Sequence, residues 1–332
     1  MIPLSVLDLA TVTSGSTPAH ALRDTTAMAH VAERLGYHRF WVAEHHAMAA
    51  VASSAPAVLI AHLAHATTTI RLGSGGVMLP NHAPLVVAEQ FATLEALFPG
   101  RIDLGLGRAP GTDHVTARAL RRASDLQANS FPHDVVELMN YLVPQPSPPH
   151  PAPTPGAGYL PDVWLLGSST YSAQLAGQLG LPFSFAYHFA PAMLDQALEV
   201  YRLNFRASRF LEYPYVMVAA SVICAPDDER ARWLSGSSAL NVLQRIQGRP
   251  GPLPSPEEAA EVEMTGVDAA FVAEALATHF IGSPARVREG LTTLQVRTHA
   301  DEIMVSTRIH DVDERRMSLE LLAREWGLVE GS

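Results

Sequence analysis

Short runs of apolar and β-branched residues alternate along the chain with longer segments in which apolar positions recur at helical spacing. The strand-like runs are Ile2–Leu7, Tyr37–Val42, Ile70–Ser74, Ile102–Leu106, Val163–Leu166, Phe183–Tyr187, Tyr215–Ile223 and Glu302–Val305. Helical segments fall near Ala19–Leu35, Ala55–Ala66 and Pro84–Leu97, with Ser53, Ser54 and Asp113 placed to cap helices. Strands alternating with helices give right-handed βαβ units and a parallel sheet. Eight such units are what a closed barrel requires. The expected fold is α/β, a (β/α)8 TIM barrel forming one domain over residues 1–332.

Two segments break the rhythm. Residues 144–161, PQPSPPHPAPTPGAGYLP, are too rich in proline for a helix or a central strand and read as a semi-rigid loop between the two halves. The second, QGRPGPLPSPEEAAEVE at 247–263, belongs to a long insertion between the seventh and eighth strands. A loop of that length in a compact domain is a lid or a linker. Because it leaves the C-terminal end of a barrel strand, residues 245–265 are expected to form a mobile lid over a pocket.

Composition narrows the partners. Hydrophobic residues make up 48% and charged residues 17%, enough apolar material for a large core. The formal net charge of −10, with no block of Lys and Arg, argues against nucleic acid and anionic membrane surfaces as partners. No signal-like segment opens the sequence, and the longest apolar stretch, Val216–Ala225, is too short to span a bilayer, so the chain reads as cytoplasmic. Cys224 is the sole cysteine, which excludes an intrachain disulfide and a thiolate metal cage.

Candidate chemistry gathers where strands end. In FWVAEHHAM, residues 40–48, Glu44, His45 and His46 follow directly on an apolar strand, where barrel enzymes keep their working residues. Neighbouring residues there point to opposite faces, so His45 and His46 are not expected to share an ion, and no metal is expected. His62 and His65, one helical turn apart, read as helix-packing residues. In IRLGSGGVMLPNHAP, residues 70–84, Gly73, Gly75 and Gly76 permit close approach by a flat ligand; a glycine-rich bulge at the barrel rim explains them equally well.

Gly105-Leu106-Gly107 follows another strand, but Gly111 is one position too late for a dinucleotide fingerprint. Arg108 presents a guanidinium fork at the barrel mouth, suited to a phosphate or to a salt bridge with Glu44, Asp103 or Asp113. Gly167, Ser168, Ser169 and Ser172 place free N–H groups and hydroxyls at a helix start, which favours an anion. Arg108 and this helix start together describe one phosphate site.

The stretches FWVAEHH, SSAPAVLIAHLA, IRLGSGGVMLPNHAPLVVAEQFATLEAL and PGRIDLGLGRAPG resemble the bacterial luciferase-like, flavin-dependent monooxygenases, most closely the single-chain oxidoreductase branch. The resemblance is dense over the first 125 residues and thinner through GSSTYSAQLAGQLGLPFSFAYHFAP and the last strand. It implies FMN at the C-terminal face, His45 and Glu44 as catalytic residues, a cis Gly75–Gly76 bond under the flavin, and Arg108, Ser169 and Ser172 on its phosphate. Ser168 stands where the luciferase subunit has a glutamate.

The implied reaction takes reduced FMN from a separate NAD(P)H:flavin reductase and O2, and oxidises a small organic substrate through a C4a-peroxyflavin, with His45 assisting proton transfer. Met78, Tyr187 and His188 are the candidate substrate-facing residues. Relatives on the same fold use F420 for hydride transfer, which is the alternative cofactor, and a non-catalytic flavin-binding subunit is a further alternative. The family also implies a homodimer, and the abundance of Ala and Pro suggests a GC-rich bacterium and natural-product biosynthesis.

Overall fold

In a computed structural model, the described residues are 1–108, 114–120, 130–147 and 149–329. Eight parallel strands close on themselves: β1 (Leu4–Asp8), β2 (Arg39–Val42), β3 (Arg71–Met78), β4 (Ile102–Gly107), β5 (Asp162–Gly167), β6 (Phe183–Ala186), β7 (Val216–Cys224) and β9 (Glu302–Ser306). Pairing of β6 with β7, and of β9 with both β7 and β1, completes the ring. The fold is the expected (β/α)8 barrel. Strands β1, β2, β4 and β9 are buried along their whole length, because a parallel sheet wrapped by helices has no solvent face.

Helices α1 (Pro18–Arg34), α2 (Pro56–Ala66) and α3 (Pro84–Leu97) follow the first three strands, each opening on a proline whose fixed φ suits the first turn and whose missing N–H would have no partner there. Ser53 and Ser54 do not cap α2; Ala55 holds that position, and the Ser53 hydroxyl donates instead to the Ala43 carbonyl at 2.6 Å. Helices α4 (His114–Leu120) and α5 (Phe131–Leu142) lie between β4 and β5, and α6 (Thr170–Leu179) and α7 (Leu194–Asn204) follow β5 and β6. Gly180 closes α6 at φ +62°, with no room for a Cβ beside the Arg206 carbonyl.

The long insertion holds α8 (Asp228–Ile246), α9 (Pro256–Ala260), α10 (Gly266–Leu276) and a strand the sequence pattern did not reveal, β8 (Phe280–Gly282). Three residues are too few to show a period, and β8 pairs only with the outer end of β7, at Val222–Cys224. Helices α11 (Pro284–Thr298) and α12 (Val312–Trp326) flank β9. The segment expected to act as a lid is docked on the loop after β1. Leu253, fully buried, exchanges backbone hydrogen bonds with Val12 and Ser14, and the Ser14 hydroxyl donates to Glu258.

The N-terminal end of the barrel interior is charged. Arg39 donates to both oxygens of Asp103 at 2.9–3.0 Å and to both of Glu302 at 3.1 Å, while its guanidinium lies 4.8 Å over the Trp164 ring. Trp41 Nε1 donates to Asp103, Tyr215 and Ser5 donate to Glu302, and Arg71 reaches Asp103 from outside. Burial alone would release the Arg39 proton, but Asp103 and Glu302 outweigh it and hold the proton more firmly than usual.

Candidate active site

The C-terminal ends of the strands enclose a pocket of about 230 Å3 with Leu7, Trp41, Ala219 and Met304 among its apolar lining. These side chains belong to a small cluster, with Trp164 and Met217, inside the barrel. A larger hollow of about 580 Å3 opens at the opposite face, between Ile2, His38 and Trp326, and contains none of the expected site residues.

One wall of the mouth pocket is β3. The glycine run lies within the strand rather than after it, the Gly75–Gly76 peptide is cis, and pairing with β4 shifts register between Gly75 and Val77. A Cβ on Gly75 would lie 2.8 Å from Leu7 Cδ1, and one on Gly76 would lie 2.7 Å from the Gly105 carbonyl oxygen. No side chain fits, so bare peptide faces the pocket. The rim bulge and the bare wall are one feature.

The opposite wall suits an anion. Arg108 follows β4 and lies 4.2 Å over the Tyr171 ring, a stacking contact that orients the guanidinium plane without using its N–H donors. Glu44 and Asp103, two candidate partners for it, are engaged by other residues; Asp113 and Gly111 lie outside the described residues. Helix α6 opens at Ser169, whose side chain makes no capping bond, and Ser168, Ser169 and Ser172 line the pocket beside Arg108. Gly167 leaves the space Ser172 occupies, since a Cβ there would sit 2.7 Å from Ser172 Cβ. Free N–H groups, hydroxyls and one guanidinium converge as a phosphate site requires.

His45 lines the pocket, and its backbone N–H donates to the Ser53 carbonyl at 2.9 Å. His46 turns the other way, its Nε2 lying 2.9 Å from Glu44 Oε1; His82 Nε2 approaches the same oxygen at 2.8 Å, and the Met78 N–H donates to Oε2 at 3.1 Å. Glu44 is fully buried and does not line the pocket. Burial opposes its charge, but hydrogen bonding and the positive field from His82, with bonds from His46 and Met78, hold the carboxyl below its ordinary 4.5.

Donor atoms of Glu44, His46 and His82 lie within 4.8 Å of one another, close enough in number and spacing to ligate an ion. Direct N···O hydrogen bonds already account for their positions. Sequence reading considered His45 and His46, with His62 and His65 as possible further ligands, and missed His82, which follows the short turn after β3.

Met78 and His188 line the pocket. Tyr187 does not: it is buried in the layer between barrel and helices and packs on Phe280, with ring centroids 6.4 Å apart. Adjacent residues face opposite ways at a strand end, so only one of Tyr187 and His188 could face inward. Trp41 and Ser184 are pocket residues not singled out from sequence. Strand alternation offered a signal for Trp41, which shares a face with Arg39.

Residues 2–301 match the family model described as luciferase-like monooxygenase. The chain is 49% identical over 320 residues to a protein of Escherichia coli strain K12 named luciferase-like monooxygenase, covering 96% of each. It is 35% identical over 331 residues to the N-acetyl-S-alkylcysteine monooxygenase of Bacillus subtilis, covering 97% of this chain and 98% of that one. Among solved structures, apo-MsnO8 superposes with a TM-score of 0.91 at 38% identity over 99% of both chains.

More distant structures share the fold alone. The FMN complex of the oxygenating constituent of 3,6-diketocamphane monooxygenase from Pseudomonas putida has a TM-score of 0.70 at 18% identity, over 98% of this chain and 97% of that one. An F420-dependent secondary alcohol dehydrogenase has 0.71 at 13%, over 99% of both.

Proposed function

Because the chain belongs to the luciferase-like monooxygenase family, we propose that it is an FMN-dependent monooxygenase, using O2 and reduced FMN from a separate NAD(P)H:flavin reductase to oxidise a small organic substrate. The observation that carries this reading is convergence: His45, Gly75, Gly76, Arg108, Ser169 and Ser172, from β3 and from the segments that follow β2, β4 and β5, line one pocket. Arg108, the two serines and the α6 N–H groups would hold the FMN phosphate, and the bare β3 wall would accept its ring system. Bound in the reduced state, FMN supplies the electrons for O2 activation; one oxygen atom goes to the substrate and the other leaves as water.

The chain's own residues do the rest. His45, which lines the pocket, moves a proton through its imidazole. Glu44 orients the rim by holding the Met78 N–H and the rings of His46 and His82. Leu7, Trp41 and Met304 exclude water beneath the site. Residues 245–265 act as the lid, and opening would break the Leu253 backbone pairing and the Ser14–Glu258 bond. The reading includes a homodimer, with exposed Val58 on α2 and Val86 on α3 among the apolar side chains a second copy would cover.

The relative that acts on N-acetyl-S-alkylcysteine supplies a test compound, N-acetyl-S-benzylcysteine. The protein, loaded anaerobically with reduced FMN and mixed with 18O2 and this thioether, should yield the sulfoxide carrying one 18O. His45→Ala should lower that yield on the order of 100-fold with FMN affinity retained. Preferential binding of F420 would replace the reading by hydride transfer, and FMN binding without turnover would favour a non-catalytic subunit.

A further inference from the structure

Beyond β9 the chain passes Thr307, Arg308 and Ile309 alongside α8, the first helix of the insertion. Ser238 and Asn241, one helical turn apart on α8, face this segment together. The Ser238 hydroxyl donates to the Arg308 carbonyl at 3.4 Å, and Arg308 Nη2 donates to Asn241 Oδ1 at 3.0 Å.

This seam concentrates unmet polar atoms. Arg308 Nε and Thr307 Oγ1 on this segment, and Ser237 Oγ and Gln244 Oε1 on α8, are buried without a hydrogen-bond partner among the described residues. The charge surrounding Arg308 is also unbalanced. Burial and the neighbouring Arg245 push its guanidinium down to about 10, and among the described residues no carboxylate forms an ion pair with it.

Arg308 stands four residues beyond Met304, which lines the pocket on β9. His188 lines the pocket and donates Nδ1–H to the Ala219 carbonyl at 2.9 Å; burial lowers its pKa, and Arg308 adds to the effect. Burial, then His188 and Arg308, bring His279 down to about 4. Both rings are neutral near pH 7, so neither adds to the positive charge of Arg308 and its neighbour Arg245. A desolvated guanidinium without a counter-ion is costly and marks a place for a ligand to supply one.

We propose that Arg308 receives the carboxylate of an anionic organic substrate, with Thr307 meeting a polar atom adjacent to that carboxylate. The Nε–H and the second N–H of Nη2 form the side-on fork that fits a carboxylate. The flavin phosphate is served separately, by Arg108 and α6. This inference rests on the monooxygenase reading and narrows its substrates to carboxylic acids.

The test is calorimetry on the full chain saturated with oxidised FMN, which keeps Arg108 engaged, using N-acetyl-S-benzylcysteine and its methyl ester. The acid should bind the wild type at least about ten-fold tighter than the ester. In Arg308→Gln the two should agree within about two-fold, with FMN affinity retained, and Arg308→Lys should restore part of the preference. If Arg308→Gln does not fold, the wild-type ratio and Arg308→Lys decide.

Failure of the acid to bind, equal affinity for acid and ester, or a preference that survives Arg308→Gln would overturn the proposal. A preference abolished by Arg108→Gln alone would assign the carboxylate to the phosphate cradle and overturn it likewise. Neither reduced flavin nor turnover enters this measurement. Acid preference without oxygenation would remove the monooxygenase reading alone, and oxygenation of acid and ester alike would remove the Arg308 assignment alone.

Discussion

Arg39 and Arg308 stand at opposite ends of one barrel, and their surroundings differ in kind. Arg39 meets four carboxylate oxygens, from Asp103 and Glu302, within 3.1 Å. Arg308 meets one amide oxygen and leaves its Nε without a partner. The N-terminal end is therefore charge-matched from within, whereas Arg308 at the C-terminal end is not matched among the described residues. Arg108 is oriented by the Tyr171 ring, and among the described residues it forms no ion pair. A barrel separates stability from chemistry in this way because each strand contributes one end to each.

The comparison breaks first at Arg39. Arg39→Met removes the cation between two buried carboxylates, leaving Asp103 to Arg71 and Glu302 with no ion pair among the described residues, and should cost about 3–5 kcal/mol of unfolding free energy in urea titrations. An unchanged midpoint would show that the charged layer is not what holds the N-terminal end. At the other end, Arg108→Gln should leave the urea midpoint nearly unchanged but weaken FMN binding roughly 10- to 100-fold in fluorescence titrations. A variant that loses stability and keeps its FMN affinity would reverse the roles of the two ends.

Gly76→Ala tests whether the mouth is free of structural constraint. A methyl 2.7 Å from the Gly105 carbonyl should cost about 1–3 kcal/mol, read in the same titrations. Glu44→Gln gives the smallest effect and depends on pH. The folded pKa of Glu44 lies below 4.5, so its ionised form contributes stability above that value and loses it as pH falls through the folded pKa. Wild type should melt about 2–4 °C above Glu44→Gln at pH 7, with the gap narrowing as pH falls below 4.5; a constant gap would exclude an ionic contribution.

Much of the site was legible because its residues follow strands directly. His45, Arg108 and the serines before α6 each stand where a barrel strand delivers its next side chains to the mouth, so counting strands located them. Tyr187 and His188 show the limit: alternation says that one of the pair faces inward, and only packing against Phe280 selects Tyr187 for the outer layer. The Glu44 contact with His82 spans 38 positions, and no local period records it. β8 was hidden for a different reason, since three residues added to the end of β7 carry no recognisable pattern.

By itself the sequence determined the strand and helix order, the closed barrel and the glycine and serine positions at the rim, because periodicity, proline-led helices and missing side chains are local properties. The tertiary structure decided which charges are balanced. Asp103 and Glu302 reach Arg39 from strands far away in the chain, and among the described residues no comparable carboxylate reaches Arg308. Charge balance is a long-range property in a desolvated interior, where the cost of an unpaired ion depends on every group that the fold brings near it.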